Sequence, residues 1–415
     1  MVADTMAATR RTPTARGRRT LLPPASGSAG QVVTLLRARG PLTRADLGAA
    51  LGLSRATVSA TVAHLMQAGW VDEQPATVGV TVRGRPPTQL LLTKQAGLAV
   101  GVDLGRSHAR VVLAHLGHEV LAERVLDMDE TWRVADALEA VDRLVDEVVT
   151  AAGVNRDRIV GVGLGLPAPL DMSGHSTSTT IPPDWVRDDP ARAFAERLGV
   201  SVVADNDANL GALAEARWGA GRGSTTLVYV KASTGIGAGL VLHGHVFRGS
   251  TGTAGEIGHV TLDEDGLVCR CGSRGCLEVM VGGRALIAQV AHHHAGIGTV
   301  PELIAAAKTG DLACIRVLAD AGATLGAALA AVLNVLNPDR VVLGGELGAA
   351  GELVLASLRD RLGRHALASA VSSTTVVDGE LGERAEALGA VLLVLTEAER
   401  FVPTSATARA VRRSE

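Results

Sequence analysis

One pattern occurs twice in this chain, and few folds accommodate it. From Leu98 the segment Gly101-Val-Asp103-Leu-Gly105-Arg-Ser107 leads into a β-prone run at 109–114. A Leu116-Gly117-His118 turn, a further strand-like run at 120–126, a helical stretch at 134–152 and an apolar run at 159–164 follow. The order then recurs: a run at 225–230, the turn Ser233-Thr234-Gly235-Ile236-Gly237, a run at 238–242, helical stretches, and an apolar run at 340–343. Period-two alternation between turn residues predicts strands in hairpins, and the longer amphipathic stretches predict helices. Each half needs its helices to cover its sheet, so the expected architecture is two α/β lobes around a cleft, with ligands held where strand ends face each other.

The chain has 415 residues and is 47% hydrophobic, enough for two or three domains with cores of their own. It contains no run of eighteen apolar residues, and its N-terminus carries Arg, Thr and Pro instead of an apolar signal region, so the expectation is a cytoplasmic protein without a membrane segment. Residues 1–85 hold eleven Arg against four acidic residues, whereas the remainder is acidic. A basic head on an acidic body implies an anionic partner for the head alone.

Residues 1–27, with five Arg among Pro, Ser, Thr and Gly, have too little apolar content to fold and are expected to be a disordered basic arm, with a second disordered segment at 397–415. The segment 28–93 reads as a winged helix-turn-helix. Val32, Val33, Leu35 and Leu36 fill a first helix stopped by Gly40-Pro41; Thr43-Arg44-Ala45-Asp46 resembles a capping box that opens a second. Ser54 caps a third, whose inward stripe is Val58, Val62, Leu65 and Met66. That leaves Ser54, Arg55, Ala56, Thr57 and Ser59 outward, with Arg44 nearby. A β-prone run at 77–82, Arg83-Gly84-Arg85-Pro86-Pro87 and a strand at 89–93 complete a wing with Arg83 and Arg85 at its tip. A helix in the major groove with arginines in the adjacent minor groove is a DNA-reading arrangement; the plainer alternative is a three-helix packing or dimerisation module.

Three cysteines stand close together in Cys269-Arg-Cys271-Gly-Ser-Arg-Gly-Cys276-Leu-Glu278, with His259 upstream in Gly255-Glu256-Ile257-Gly258-His259. Thiolates and imidazole suit a tetrahedral Zn²⁺, and Gly272 and Gly275 let a short loop fold over the ion, so the expected cofactor is structural zinc on His259, Cys269, Cys271 and Cys276. Reduced surface cysteines or a disulfide are the alternatives. Cys314, in an apolar helical stretch, is expected to pack in a core, and His292-His293-His294 to lie on a solvated helix face.

Taken in order, Gly84-Arg85-Pro86-Pro87, Asp103-x-Gly105, Gly165-Leu-Pro167, Asp205-Asn206-Asp207-Ala208-Asn209, Ser233-Thr-Gly-Ile-Gly237, Gly255-Glu256-x-Gly258-His259, the cysteine cluster with Glu278, and Asn337-Pro338 ahead of Gly344-Gly345 resemble the ROK family. That family groups sugar-responsive repressors with sugar kinases on a two-lobed, actin-like (ribonuclease-H-like) fold. The resemblance implies an α/β fold over 98–396, sugar contact by Asn206, Asp207, Glu256, His259 and Glu278, and zinc on His259 and the three cysteines. Carboxylates and amides suit a polyol, and an imidazole has one nitrogen for metal and one for a hydroxyl. Asn206 and Asp207 could instead only cap the helix that follows, and Glu256 and Glu278 could be solvated carboxylates.

In the family's kinases Asp207 would be the base that deprotonates the sugar hydroxyl, with Mg²⁺ and two Gly/Thr loops holding the triphosphate. Here Asp-x-Gly-Gly-Thr-Lys is replaced by Asp103-Leu-Gly105-Arg106-Ser107-His108, so no catalytic residue is expected. The resulting expectation is a sugar-responsive transcriptional repressor, a homodimer or homotetramer, that binds operator DNA and a monosaccharide or sugar phosphate. Its rivals are a sugar kinase with an attached DNA-binding domain, and a regulator whose effector is a partner protein.

Overall fold

Short apolar stripes, each ended by a glycine, build the N-terminal unit of the computed structural model, which describes residues 26–75, 88–128, 132–171, 174–177 and 189–396. Helix α1 (Gly27–Arg39) stops at Gly40. Helix α2 (Arg44–Leu51) opens on a Thr43/Asp46 capping box and ends at a left-handed Gly52. Helix α3 (Arg55–Gln67) is capped by the Ser54 hydroxyl, which accepts the Thr57 amide at 3.1 Å. Val32, Leu36, Leu47, Val58, Val62 and Leu65 close the core between them, while Met66 is only half-buried. Strands β1 (Val71–Pro75) and β2 (Thr88–Leu92) pair antiparallel beside this bundle. The strand facing β2 is therefore Val71–Pro75, upstream of the run expected at 77–82. That run, Arg83 and Arg85, residues 1–25 of the arm expected at 1–27, and the segment 397–415 lie outside the described residues, while Gly27 already belongs to α1.

The duplicated pattern becomes two five-stranded sheets of one topology. In the first lobe β3 (Leu98–Leu104), β4 (His108–His115), β5 (Val120–Asp127), β6 (Ile159–Leu166) and β7 (Val202–Asn206) lie in the order β5-β4-β3-β6-β7. In the second, β8 (Thr226–Ala232), β9 (Ile236–Leu242), β10 (His245–Val246), β11 (Arg340–Gly344) and β12 (Thr375–Asp378) lie in the order β10-β9-β8-β11-β12. Each sheet is an antiparallel meander of its first three strands followed by two parallel strands. Every residue of β3 is buried, as expected of a central strand covered on both faces.

Helix α4 (Val134–Ala151) packs on the first sheet through Val141, Leu144 and Val148. The helix Leu312–Leu336 is long and apolar enough by length and composition to cross a membrane, with half of its most apolar stretch buried inside the protein, where Leu318, Leu325 and Leu329 join the core of the second lobe. Cys314 lies on it, fully buried, as expected. The His292–His294 run differs from its expectation: the preceding helix ends at Val290, residues 291–293 form a turn, and His294 turns back to pair with Asp311 at 3.1 Å.

The N-terminal unit is docked on the first lobe. Its helix α1 packs against the C-terminal helix Ala385–Thr396 within one shared core. His118 Nε2 donates to the Arg37 carbonyl at 2.6 Å, Arg217 donates to the Arg39 carbonyl, and the His118 ring meets Trp218 edge-on with centroids 5.5 Å apart.

Candidate functional site

A cleft of about 740 Å³ opens between the two sheets, and Asn206, Asp207, Glu256, His259 and Glu278 all line it. Asn206 ends β7 and caps the helix Asp207–Trp218, its side-chain oxygen accepting the Asn209 amide at 3.1 Å and its nitrogen donating to the Ala168 carbonyl at 3.2 Å. The capping alternative is thus realised, in a residue that also faces the cleft. Asp207, the first residue of that helix, accepts the Ala208 amide at 2.8 Å on one oxygen and the Lys231 ammonium at 2.8 Å on the other. Glu256 is largely enclosed; burial, then Asp207 and Glu278, push its carboxyl up to about 7. Near neutral pH it can therefore donate as well as accept a hydrogen bond. Glu278 accepts the Ile236 amide at 3.2 Å and the Arg270 guanidinium at 2.9 Å, which ties the Ser233–Gly237 turn to the cysteine loop.

The four expected metal ligands converge: their donor atoms lie within 4.8 Å of one another. His259 Nδ1 stands 3.6 Å from Cys269 Sγ, and Cys271 Sγ stands 3.6 Å from Cys276 Sγ. The other imidazole nitrogen, Nε2, faces Glu256 at 4.0 Å. Gly275, in the left-handed region, lets the loop close, because a Cβ there would sit 1.6 Å from the Asp263 carbonyl oxygen. Burial pushes the Cys276 thiol up to about 12 and the Cys269 thiol upward, whereas a backbone hydrogen bond from Ser273 lowers Cys271. Three closely packed thiols become thiolates together only when a cation neutralises them, and one imidazole with three sulfurs is a donor set suited to Zn²⁺.

The cleft carries further acidic groups from both lobes. Asp103, Glu346, Glu383 and Glu386 line it, and Arg110 is held there by Glu123 and Glu383. His108 folds back over Gly105, where an added Cβ would lie 2.2 Å from the ring, and its Nε2 hydrogen-bonds Asp103 at 2.8 Å. Where a phosphate would approach a bare glycine turn, this chain has an imidazole and a ring of carboxylates.

In the N-terminal unit Ser54, Arg55, Ala56, Thr57 and Ser59 are all exposed on one end of α3. Arg44 instead forms an ion pair with Glu73 on β1, which fastens α2 to the hairpin. Sequence reasoning missed Lys231, Glu386, His108 and Arg270 as cleft residues. Lys231 carried a signal: it is the one charge in the apolar strand Leu-Val-Tyr-Val-Lys-Ala, and a buried charge needs a partner.

The ROK family model matches residues 99–397, and a MarR family model matches residues 23–78. A putative xylose repressor of Caldicellulosiruptor sp. (strain Rt8B.4) is 32% identical over 87% of this chain and 93% of its own length. A glucokinase of Thermotoga maritima is 30% identical, over 71% of this chain and 96% of its own. The crystal structure of a ROK family transcriptional regulator, a homologue of the Escherichia coli MLC protein, superposes with a TM-score of 0.69 at 26% identity, covering 90% of this chain and 96% of that one.

Proposed function

The chain belongs to the ROK family, and from that premise we propose that it is a sugar-responsive transcriptional repressor: the N-terminal unit binds operator DNA, and the cleft binds a monosaccharide or sugar phosphate. The observation that carries this reading is the pairing of two complete devices in one chain. The exposed residues Ser54–Thr57 and Ser59 at the N-terminal end of α3 are presented as a recognition helix presents its base-reading end, and five polar residues converge in the cleft. The relative named as a repressor matches both parts, whereas the glucokinase is nearly covered in full while matching less of this chain.

Three finer statements belong to the proposal. The cysteine and histidine cluster holds structural zinc, supported by its donor set and spacing, and Glu278 relays the state of that loop to the sugar. The cleft binds without phosphorylating, supported by the loss of the first phosphate loop, the His108 imidazole over Gly105, and the carboxylates Asp103, Glu346 and Glu383 in the lining. The protein acts as a homodimer or homotetramer, because two recognition helices reading two half-sites give specificity that one cannot. A kinase reading retains two supports, Asp207 at the base position and the likeness to the glucokinase, and formation of sugar phosphate from ATP would favour it.

Selection of DNA from a random duplex pool by the full-length protein, then fluorescence anisotropy with and without D-xylose and D-glucose, tests the function. Enrichment of one sequence whose affinity shifts with a sugar is expected, as is the reciprocal shift in sugar affinity. Arg55→Ala should weaken that complex by ~1–3 kcal/mol. No enriched sequence, or tight sugar binding that leaves DNA affinity unchanged, would overturn the repressor reading.

A further inference from the structure

Three acidic side chains meet where the two lobes face each other. Asp103 comes from β3, Asp207 from the start of the helix after β7, and Glu386 from the C-terminal helix; all three are buried. Into the gap between them β8 sends Lys231, whose Nζ lies 2.8 Å from Asp207 and 3.8 Å from Glu386. Asp103 is the third member of the set, with one oxygen on His108 and the other, Oδ1, buried without a hydrogen-bond partner among the described residues. Burial alone would push the lysine down; Asp207, Glu386 and Asp103 outweigh it and hold the ammonium well above its ordinary value. Burial also pushes Glu386 up to about 7 although Lys231 opposes it; Asp207 and Glu386 lie against the ammonium, and the charge of Asp103 acts on it from farther away.

Converging carboxylates of this kind suit a hard divalent cation with oxygen ligands, the ion that phosphoryl transfer requires to bridge phosphate oxygens. We infer that Lys231 is a built-in counter-ion occupying the place of a divalent cation among Asp103, Asp207 and Glu386, and that it positions Asp207 as a fixed hydrogen-bond acceptor for a sugar hydroxyl. The inference rests on the reading of the cleft as an effector site. Its consequences are chemical. With one oxygen accepting the Ala208 amide and the other accepting from Lys231, Asp207 is fixed in orientation and keeps lone pairs to accept a sugar hydroxyl. Sugar binding then requires neither Mg²⁺ nor nucleotide. Lys231 is a positioning residue, acting on the sugar through Asp207.

The test uses full-length, zinc-loaded protein and Mn²⁺ as probe, because Mn²⁺ is an oxygen-seeking cation visible by electron paramagnetic resonance. Wild type should bind no Mn²⁺ in the cleft. Lys231→Met, which leaves three carboxylates facing a gap, should bind about one Mn²⁺ per chain, melt lower at about pH 8, and regain stability with Mn²⁺ or on acidification. Adding Asp207→Asn should remove that Mn²⁺. Affinity for D-xylose or D-glucose should fall by about tenfold in Lys231→Met without Mn²⁺. If that variant does not fold, Lys231→Met with Asp103→Asn carries the same expectations with one fewer carboxylate. Cleft-bound Mn²⁺ in wild type, or a folded lysine variant with no gain of Mn²⁺ and no pH-dependent loss of stability, would overturn the inference. If no sugar shifts any of the proteins, the effector reading fails, and the Mn²⁺ result still decides the role of the lysine.

Discussion

The two lobes share a strand order, yet they hold their central hairpins in different ways. β3 and β8 are each seven residues long, and each carries a charged residue next to its last position, Asp103 in one and Lys231 in the other. Duplication of the scaffold thus sets an acid and a base at matching points on facing strands. In the first lobe the turn after β3 is closed from within, His108 folding over Gly105 onto Asp103. In the second the turn after β8 is held from outside, its Ile236 amide bound by Glu278, which follows the last cysteine of the cluster by two residues. A self-closed turn answers only to its own lobe; a turn held by the cysteine loop changes whenever that loop does.

The sharpest way to break this contrast is to remove Cys276, one of the four residues proposed to hold zinc. Cys276→Ala should release the zinc from each chain, free the loop that carries Glu278, and lower sugar affinity by about a hundredfold, while hydrogen exchange in β3 and β4 stays as in wild type. Elemental analysis and calorimetry measure the first two effects. Absence of zinc from carefully purified wild type would remove the basis of the contrast.

A smaller effect separates the groups between the lobes. The folded chain holds the Glu386 proton up to about 7, against an ordinary value of 4.5, so this group favours the folded state fully below about 4.5 and loses that contribution as pH rises through about 7. Stability should decline by ~1–3 kcal/mol over that window, and Glu386→Gln, which keeps an acceptor for the Tyr229 hydroxyl, should flatten the decline. Denaturant melts at stepped pH would show it; an unchanged slope in the variant would assign the decline elsewhere.

The smallest expected effect belongs to the self-closed turn. Burial lowers His108, but the hydrogen bond and charge of Asp103 outweigh it and raise the imidazole above 6.5, so its contribution is present below 6.5 and fades as pH rises past its folded value. His108→Ala should cost ~1 kcal/mol at about pH 6, less at about pH 8, and leave zinc content unchanged. Loss of zinc in this variant would show that the lobes are not separately supported.

Much of this architecture was legible because it rests on local rules. Periodicity placed Val58, Val62 and Leu65 in the N-terminal core and Ser54 at its cap, and the cysteine spacing brought four ligand atoms together. What escaped was set by tertiary context. β7 and β12 are five and four residues long, too short for alternation to declare them. The strand Val71–Pro75 escaped because its Asp, Glu, Gln and Pro lack β propensity and it is held by pairing with β2. Arg44 reads as a DNA contact until Glu73 is folded beside it, and the histidine run reads as a helix face until His294 meets Asp311. Lys231 shows in the sequence as a lone charge in an apolar strand, but its partners Asp207 and Glu386, distant in sequence, do not.

The joint between the DNA-binding unit and the first lobe grips main chain. Both polar contacts on the end of α1 are to carbonyl oxygens, those of Arg37 and Arg39, which any residue at those positions would offer. Burial holds His118 down to about 4, so its ring stays neutral and the grip does not loosen with ordinary changes of pH. The helix that ends in Arg217 and Trp218 begins at Asp207, and twelve residues of helix span about 18 Å. One stiff element thus touches the cleft at its first turn and the DNA-binding unit at its last. Because the joint is made by the apolar core of α1 and by main-chain carbonyls, and not by the exposed end of α3, the residues that read DNA can diverge to new operators while the connection to the cleft stays the same.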